Sequence, residues 1–195
     1  MKRIAWIGGV VLLFAGSASA TTTTFNGTAG ADTMLVGRGY DGGGNLIYLA
    51  CVNGSWAEGN LVTGSSDTVT TNGNGGIDTI TVRSSSGIYD CGVGGGKWLH
   101  SMNYVYSCPN VYVNGGTGND RIIGAQCAEH LNGDDGNDTI FGNAGNDWIY
   151  AGADNDCISD TTLTFLSCGS GTDSYTDDLA WKDCENQVGY CLLPP

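Results

Sequence analysis

The sequence has 195 residues, 33 of them Gly, with seven Lys plus Arg set against 20 Asp plus Glu for a formal charge of −13. So acidic a chain is repelled by nucleic acid and by anionic membrane, which leaves cations as its natural counter-charge. High Gly with only three Pro predicts a turn-rich, all-β repeat rather than helices, and regularly spaced apolar positions argue against disorder.

In chain order, residues 1–20 come first. Lys2 and Arg3 precede an almost wholly apolar run at residues 4–15, and Ala18-Ser19-Ala20 supplies the small-residue cleavage pattern. This predicts a secretory signal peptide cut after Ala20. The apolar run falls short of the ~20 residues that a membrane span needs, so a soluble, exported product with no membrane insertion is expected. Without Lys2 and Arg3 the remaining chain carries five basic and 20 acidic residues, a charge of −15.

Residues 21–114 read as degenerate coils with insertions. Gly27, Gly30, Asp32 and Met34 keep a Gly, Gly, Asp, apolar order that recurs later. Residues 65–69 (SSDTV) and 75–80 (GGIDTI) keep only its later part, and the spacings Asp32–Asp67–Asp78 suggest lost register. Residues 37–61 and 82–110 are predicted to loop off the stack. A plain turn role is expected for Asp32, Asp67 and Asp78, with calcium binding there the lesser alternative.

Residues 115–159 keep a strict beat of nine: GGTGNDRII, GAQCAEHLN, GDDGNDTIF, GNAGNDWIY and AGADNDCIS. The eighth position is Ile122, Leu131, Ile140, Ile149 and Ile158. In a three-residue strand the central side chain faces opposite to its neighbours, so stacked copies would build an aliphatic core. Position seven (Arg121, His130, Thr139, Trp148, Cys157) is mixed, as an outer surface is. The six-residue turns combine glycines, which allow positive φ and close backbone approach, with an acid at position six. Carbonyl and carboxylate oxygens together suit Ca²⁺, which takes 6–8 oxygens at ~2.4 Å.

GGTGNDRII satisfies G-G-x-G-x-D-x-U-x at every specified place. The segment resembles the RTX (repeats-in-toxin), hemolysin-type calcium-binding nonapeptide repeats. That resemblance implies a parallel β-roll or β-helix (solenoid) in which two nonapeptides make one coil and Ca²⁺ sits between turns 18 residues apart. One edge would stack the turns ending at Asp120, Asp138 and Asp156, giving two sites. It would draw on Gly115, Gly116, Thr117, Gly118, Gly133, Asp134, Asp135, Gly136, Ala151, Gly152 and Ala153. The other edge would stack Glu129 with Asp147, along with Gly142 and Gly145. There GAQCAE lacks the second and fourth glycines and sets a longer acid where Asp belongs, which compromises a third site. Asp154 replaces the fourth glycine of the last unit, and Asp134 and Asp135 are expected to point outward.

The tail, residues 160–195, is read as a disulfide-linked cap. It holds a last imperfect turn (Gly169, Gly171, Asp173), the cap residues Trp181, Leu192 and Leu193, and a Cys168–Cys184 clasp. Eight cysteines in an exported chain predict up to four disulfides among 105 pairings. No C-x-x-C occurs, and His100 and His130 are the only histidines. A cleavable N-terminal signal and cysteines both depart from the usual RTX pattern.

No H-E-x-x-H, G-x-S-x-G or long pore segment is present. The expected function is therefore a secreted calcium-binding protein, not an enzyme, with a structural or adhesive role and calcium-dependent folding. Two alternatives stay open. One is a calcium-stabilised enzyme acting on polysaccharide through acid pairs. The other is ice or surface recognition, although Thr117, Gln126, Asp135, Ala144 and Ala153 form no constant rank.

Overall fold

The structure, a computed structural model, describes residues 5–7, 10–12, 19–83, 86–91, 96–99, 102, 108–176 and 184. Among them every regular element is a strand. β1 (Ala5–Ile7) and β2 (Val10–Leu12) pair only with each other, antiparallel.

The remaining order is β3 (Thr22–Asn26), β4 (Thr33–Tyr40), β5 (Leu46–Val52), β6 (Ser55–Leu61), β7 (Thr68–Gly75), β8 (Thr79–Val82), β9 (Gly87–Asp90) and β10 (Gly96–Leu99). There follow β11 (Asn110–Thr117), β12 (Arg121–Ile123), β13 (Glu129–Asp135), β14 (Thr139–Asn143), β15 (Trp148–Ala153), β16 (Cys157–Asp160), β17 (Phe165–Ser170) and β18 (Ser174–Thr176).

Two parallel sheets dominate. The first runs β17-β15-β13-β11-β7-β3, and the second runs β18-β16-β14-β12-β8-β4 before an antiparallel extension through β5 and β6. Apart from that extension and the separate β9–β10 hairpin, the chain alternates strand by strand between the sheets. It crosses at two edges. Edge one leads from the first sheet to the second and holds Asp120, Asp138 and Asp156; edge two leads back and holds Glu129 and Asp147.

Alternate side chains of the strands point between the sheets, and one per strand forms a central column. In the first sheet Phe25, Thr71, Val113, Leu131, Ile149 and Leu166 align in register. In the second, Met34, Ile80, Ile122, Ile140, Ile158 and Tyr175 do so. All twelve are buried, and the apolar ones belong to one continuous core cluster. The predicted inward column of Ile122, Leu131, Ile140, Ile149 and Ile158 is therefore in place.

The expectation of lost register before residue 115 is corrected. Thr68 pairs beside Asn110 and Thr79 beside Arg121, just as Arg121 pairs beside Thr139. The long connections leave and re-enter at the corners, and closing a longer loop adds only slowly to the entropy cost. Residues 37–61 do not merely loop off, either. β5 pairs with β4 and β6 with β5, which extends the second sheet beyond its first parallel strand. Tyr48, Leu49 and Ala50 of β5 are fully buried.

Disulfides join Cys51 to Cys91, Cys108 to Cys127 and Cys168 to Cys184, and Cys157 is also bonded. The first ties the two insertions together. The second anchors the end of the 82–110 segment to the GAQCAE turn, and the third is the expected clasp. Trp181, Leu192 and Leu193 lie outside the described residues.

Candidate metal sites

The edge-one turns have a common backbone signature, with positions two and four at positive φ. The values are 107° and 127° for Gly116 and Gly118, 73° and 132° for Asp134 and Gly136, and 120° and 76° for Gly152 and Asp154. Asp and Asn reach this left-handed region more readily than other side-chain-bearing residues, so Asp154 keeps the turn shape that its Gly-to-Asp exchange put in question. Glycine at these places also permits stacking. A Cβ on Gly136 would lie 1.8 Å from the Gly118 carbonyl oxygen, and one on Gly152 would lie 1.9 Å from that of Asp134.

These turns stack their acids into a column. The Asp120 N–H donates to Asp138 Oδ1 at 2.7 Å, the Asp138 N–H to Asp156 Oδ1 at 2.8 Å, and the Asp156 N–H to Asp173 Oδ1 at 2.9 Å. The column continues upstream, where the Asp78 N–H donates to Asp120 Oδ1 and the Asp32 N–H to Asp78 Oδ1. Each bond satisfies one carboxylate oxygen. The Oδ2 atoms of Asp78, Asp120, Asp138 and Asp156 are buried with no hydrogen-bond partner. In the turns ending at Asp78, Asp120 and Asp138 the first glycine closes over this second oxygen, while the turn ending at Asp156 opens with Ala151. A Cβ on Gly133 would sit 2.3 Å from both Asp138 Oδ2 and the Ala151 carbonyl oxygen; a Cβ on Gly115 would meet Asp120 Oδ2 and the Gly133 carbonyl oxygen.

Burial is the main cause that pushes the Asp138 carboxyl up to about 8. The Asp120 N–H opposes it, and the charges of Asp156, Asp120 and Asp134 add to it. Burial likewise lifts Asp156 to about 7, with Asp173 and Asp154 contributing against the Asp138 N–H. Asp120 is raised by the same combination of burial and neighbouring acids.

Edge two has a parallel arrangement with different parts. The Glu129 N–H donates to Asp147 Oδ1 at 2.8 Å, and Glu129 Oε2 accepts from the Ala125 N–H at 3.1 Å. Glu129 Oε1 and Asp147 Oδ2 are buried without a hydrogen-bond partner. Burial chiefly raises both groups, and each is raised further by a neighbouring acid, Asp147 for Glu129 and Asp160 for Asp147. In the GAQCAE turn, Ala125 and Cys127 occupy positions two and four without positive φ, and both are fully buried. Gly142 faces a convergence that the sequence pattern did not foretell. A Cβ there would lie 2.6 Å from Asp160 Oδ2 and 2.9 Å from Asp147 Oδ2.

The sequence-predicted residues thus separate. Asp120, Asp138 and Asp156 come together on one edge, and Glu129 with Asp147 on the other. Gly115, Gly133 and Gly142 close over the carboxylates, while Gly116, Gly118, Gly136, Gly145 and Gly152 stack over carbonyls. Thr117, Asp135 and Ala153 pair across the end of the first sheet. The Asp135 side chain stays exposed, and half-buried Asp134 accepts from Asn132 at 2.6 Å. Pattern reading missed Asp160. It gave Asp78 a plain turn role and left Asp173 in an imperfect turn outside the column, whereas the structure stacks Asp78 and Asp173 with the other acids. Residues 73–80 read GNGGIDTI, a full unit once Asn74, with φ 78°, stands for the second glycine.

A buried carboxylate oxygen with no donor requires a proton or a cation. Among the described residues no three His, Cys, Asp or Glu side chains converge, so a bound ion would take its other ligands from main-chain carbonyls. Hard oxygens of mixed carboxylate and carbonyl type fit Ca²⁺ better than Mg²⁺ or a transition metal.

The fold and turns together define a parallel β protein with acid- and glycine-lined edges. Residues 112–140 and 128–158 match the family model described as RTX calcium-binding nonapeptide repeat (4 copies). This segment, about a quarter of the 195-residue chain, carries RTX calcium-binding repeats and supports a calcium-binding protein. No curated protein and no solved structure gives a significant match to the chain.

Proposed function

We propose that this chain is a secreted, non-enzymatic calcium-binding protein, a β-roll solenoid that folds around Ca²⁺ and serves a structural or adhesive role. The observation that carries the reading is the set of buried carboxylate oxygens without hydrogen-bond donors at Asp120, Asp138 and Asp156 on one edge and at Glu129 and Asp147 on the other. Between stacked turns, Ca²⁺ would supply the positive charge that these oxygens lack, while the protein supplies carboxylates and carbonyls already in place. Glu129, at the altered turn, takes part in the weaker of these gaps.

Export is supported by the leader pattern of residues 1–20 and by the disulfides, which persist in oxidising compartments. We divide the remainder into residues 21–114, 115–159 and 160–195, as irregular coils, regular repeats and cap of one stack. The charge of −15 favours ions over nucleic acid or anionic membrane as partners.

Calorimetric titration of the disulfide-intact, chelator-treated chain with CaCl₂ tests the reading. Saturable binding is expected with Kd in the range of about 10⁻⁴ to 10⁻³ M typical of extracellular modules, with protons released as Asp138 and Asp156 ionise. Absence of heat and of proton release up to about ten times that range would overturn it.

A further inference from the structure

We propose that an additional Ca²⁺ site lies between the turn of residues 73–78 and the turn of residues 115–120, with the carboxylates of Asp78 and Asp120 as its acidic ligands. This rests on the calcium-binding reading above but concerns a gap of which one turn, residues 73–78, lies outside the matched repeats, and 42 residues separate the two acids.

The gap has the geometry of the two that follow it. The Asp78 N–H donates to Asp120 Oδ1 at 2.8 Å, against 2.7 and 2.8 Å for the next two bonds of the column. A Cβ on Gly73 would lie 2.2 Å from Asp78 Oδ2 and 2.3 Å from the Gly115 carbonyl oxygen, as one on Gly133 does at its own Asp and the next carbonyl. A Cβ on Gly118 would meet the Gly76 carbonyl oxygen, as one on Gly136 meets that of Gly118. Asn74 and Gly76, at φ 78° and 112°, repeat the two left-handed positions. Asp78 is 1% and Asp120 2% exposed, and the second oxygen of each has no hydrogen-bond partner.

The next acid upstream shows what a protein-satisfied rung looks like. Asp32 accepts from the Thr28 N–H and hydroxyl and from the Asn53 side-chain amide, and these donors hold its carboxyl low although burial acts to raise it. On edge two, Asp67 accepts from Thr21, Thr63, Gly64 and the Tyr48 hydroxyl and is likewise lowered. The column therefore changes at Asp78 from donors supplied by the chain to a requirement for a cation.

The test is the calcium stoichiometry of the full chain by equilibrium dialysis, for the unaltered protein, Asp78→Asn and Asp32→Asn. Asp78→Asn is expected to lose one bound Ca²⁺ per chain, while Asp32→Asn keeps the full count. An unchanged count in Asp78→Asn overturns this site alone; no binding by the unaltered protein overturns the parent reading too. A measurement on the unaltered chain guards against a variant that fails to fold. Added CaCl₂ should shift the amide resonances of Gly76 and Asp78 together with those of Gly118 and Asp138. Movement of the latter pair alone overturns the site.

Discussion

Gly133 shows why single residues carry so much of this design. Its missing side chain leaves room for Asp138 Oδ2 and the Ala151 carbonyl oxygen, each 2.3 Å from where a Cβ would stand. Gly133→Ala must displace backbone or carboxylate, so it should cost about 1–3 kcal/mol in stability and weaken calcium binding in a titration. Gly42→Ala is the control, because its Cβ meets nothing within 4 Å, and it should stay within about 0.5 kcal/mol of the parent. The carboxylates make a second prediction, for the calcium-free chain. Asp138, facing Asp120, Asp134 and Asp156, has a folded value of about 8, whereas an unfolded Asp titrates near 3.9. Between these values the folded state holds more protons than the unfolded one, so stability is fully present below about pH 4 and falls as pH rises towards 8. Urea unfolding in chelator at pH 5 and pH 8 should give the higher midpoint at pH 5. Asp156, at about 7, acts in the same direction.

Each short strand gives up one side chain to the core. Ile140 is fully buried between Ile122 and Ile158, and Ile140→Ala should cost about 2–5 kcal/mol in denaturant unfolding through the cavity it leaves. This column was legible because three-residue strands repeating every nine residues place one residue inward each time. The same period set Asp120, Asp138 and Asp156 on a common edge. The stacking of Asp78 on Asp120 was hidden because parallel pairing depends on lateral contact, not on chain length, and the 82–110 insertion breaks the beat without breaking the ladder. Asp173 lies 17 rather than 18 residues after Asp156, yet it receives the same hydrogen bond. The donors that satisfy Asp32 and Asp67 were not legible, since Asn53 and Tyr48 come from the β4–β6 extension that was read as a loop. Asp160 was equally obscure, because it stands where a unit would have its first glycine.

The whole molecule carries 15 net negative charges beyond residue 20 and directs several of its acids inward along two edges. Hydrophobic burial and disulfides act in any medium, but the edges require a cation before their acids can ionise together. Calcium should therefore set the stability of the entire stack. A single site filled at about 100 times its Kd contributes about 2.7 kcal/mol, which in a chain of this size raises Tm by roughly 5–10 °C. Thermal unfolding of the disulfide-intact protein at pH 7, followed by circular dichroism in excess CaCl₂ and in excess chelator, is the most direct measurement. The account predicts a Tm at least that much higher with calcium, and the same Tm in both conditions would contradict it.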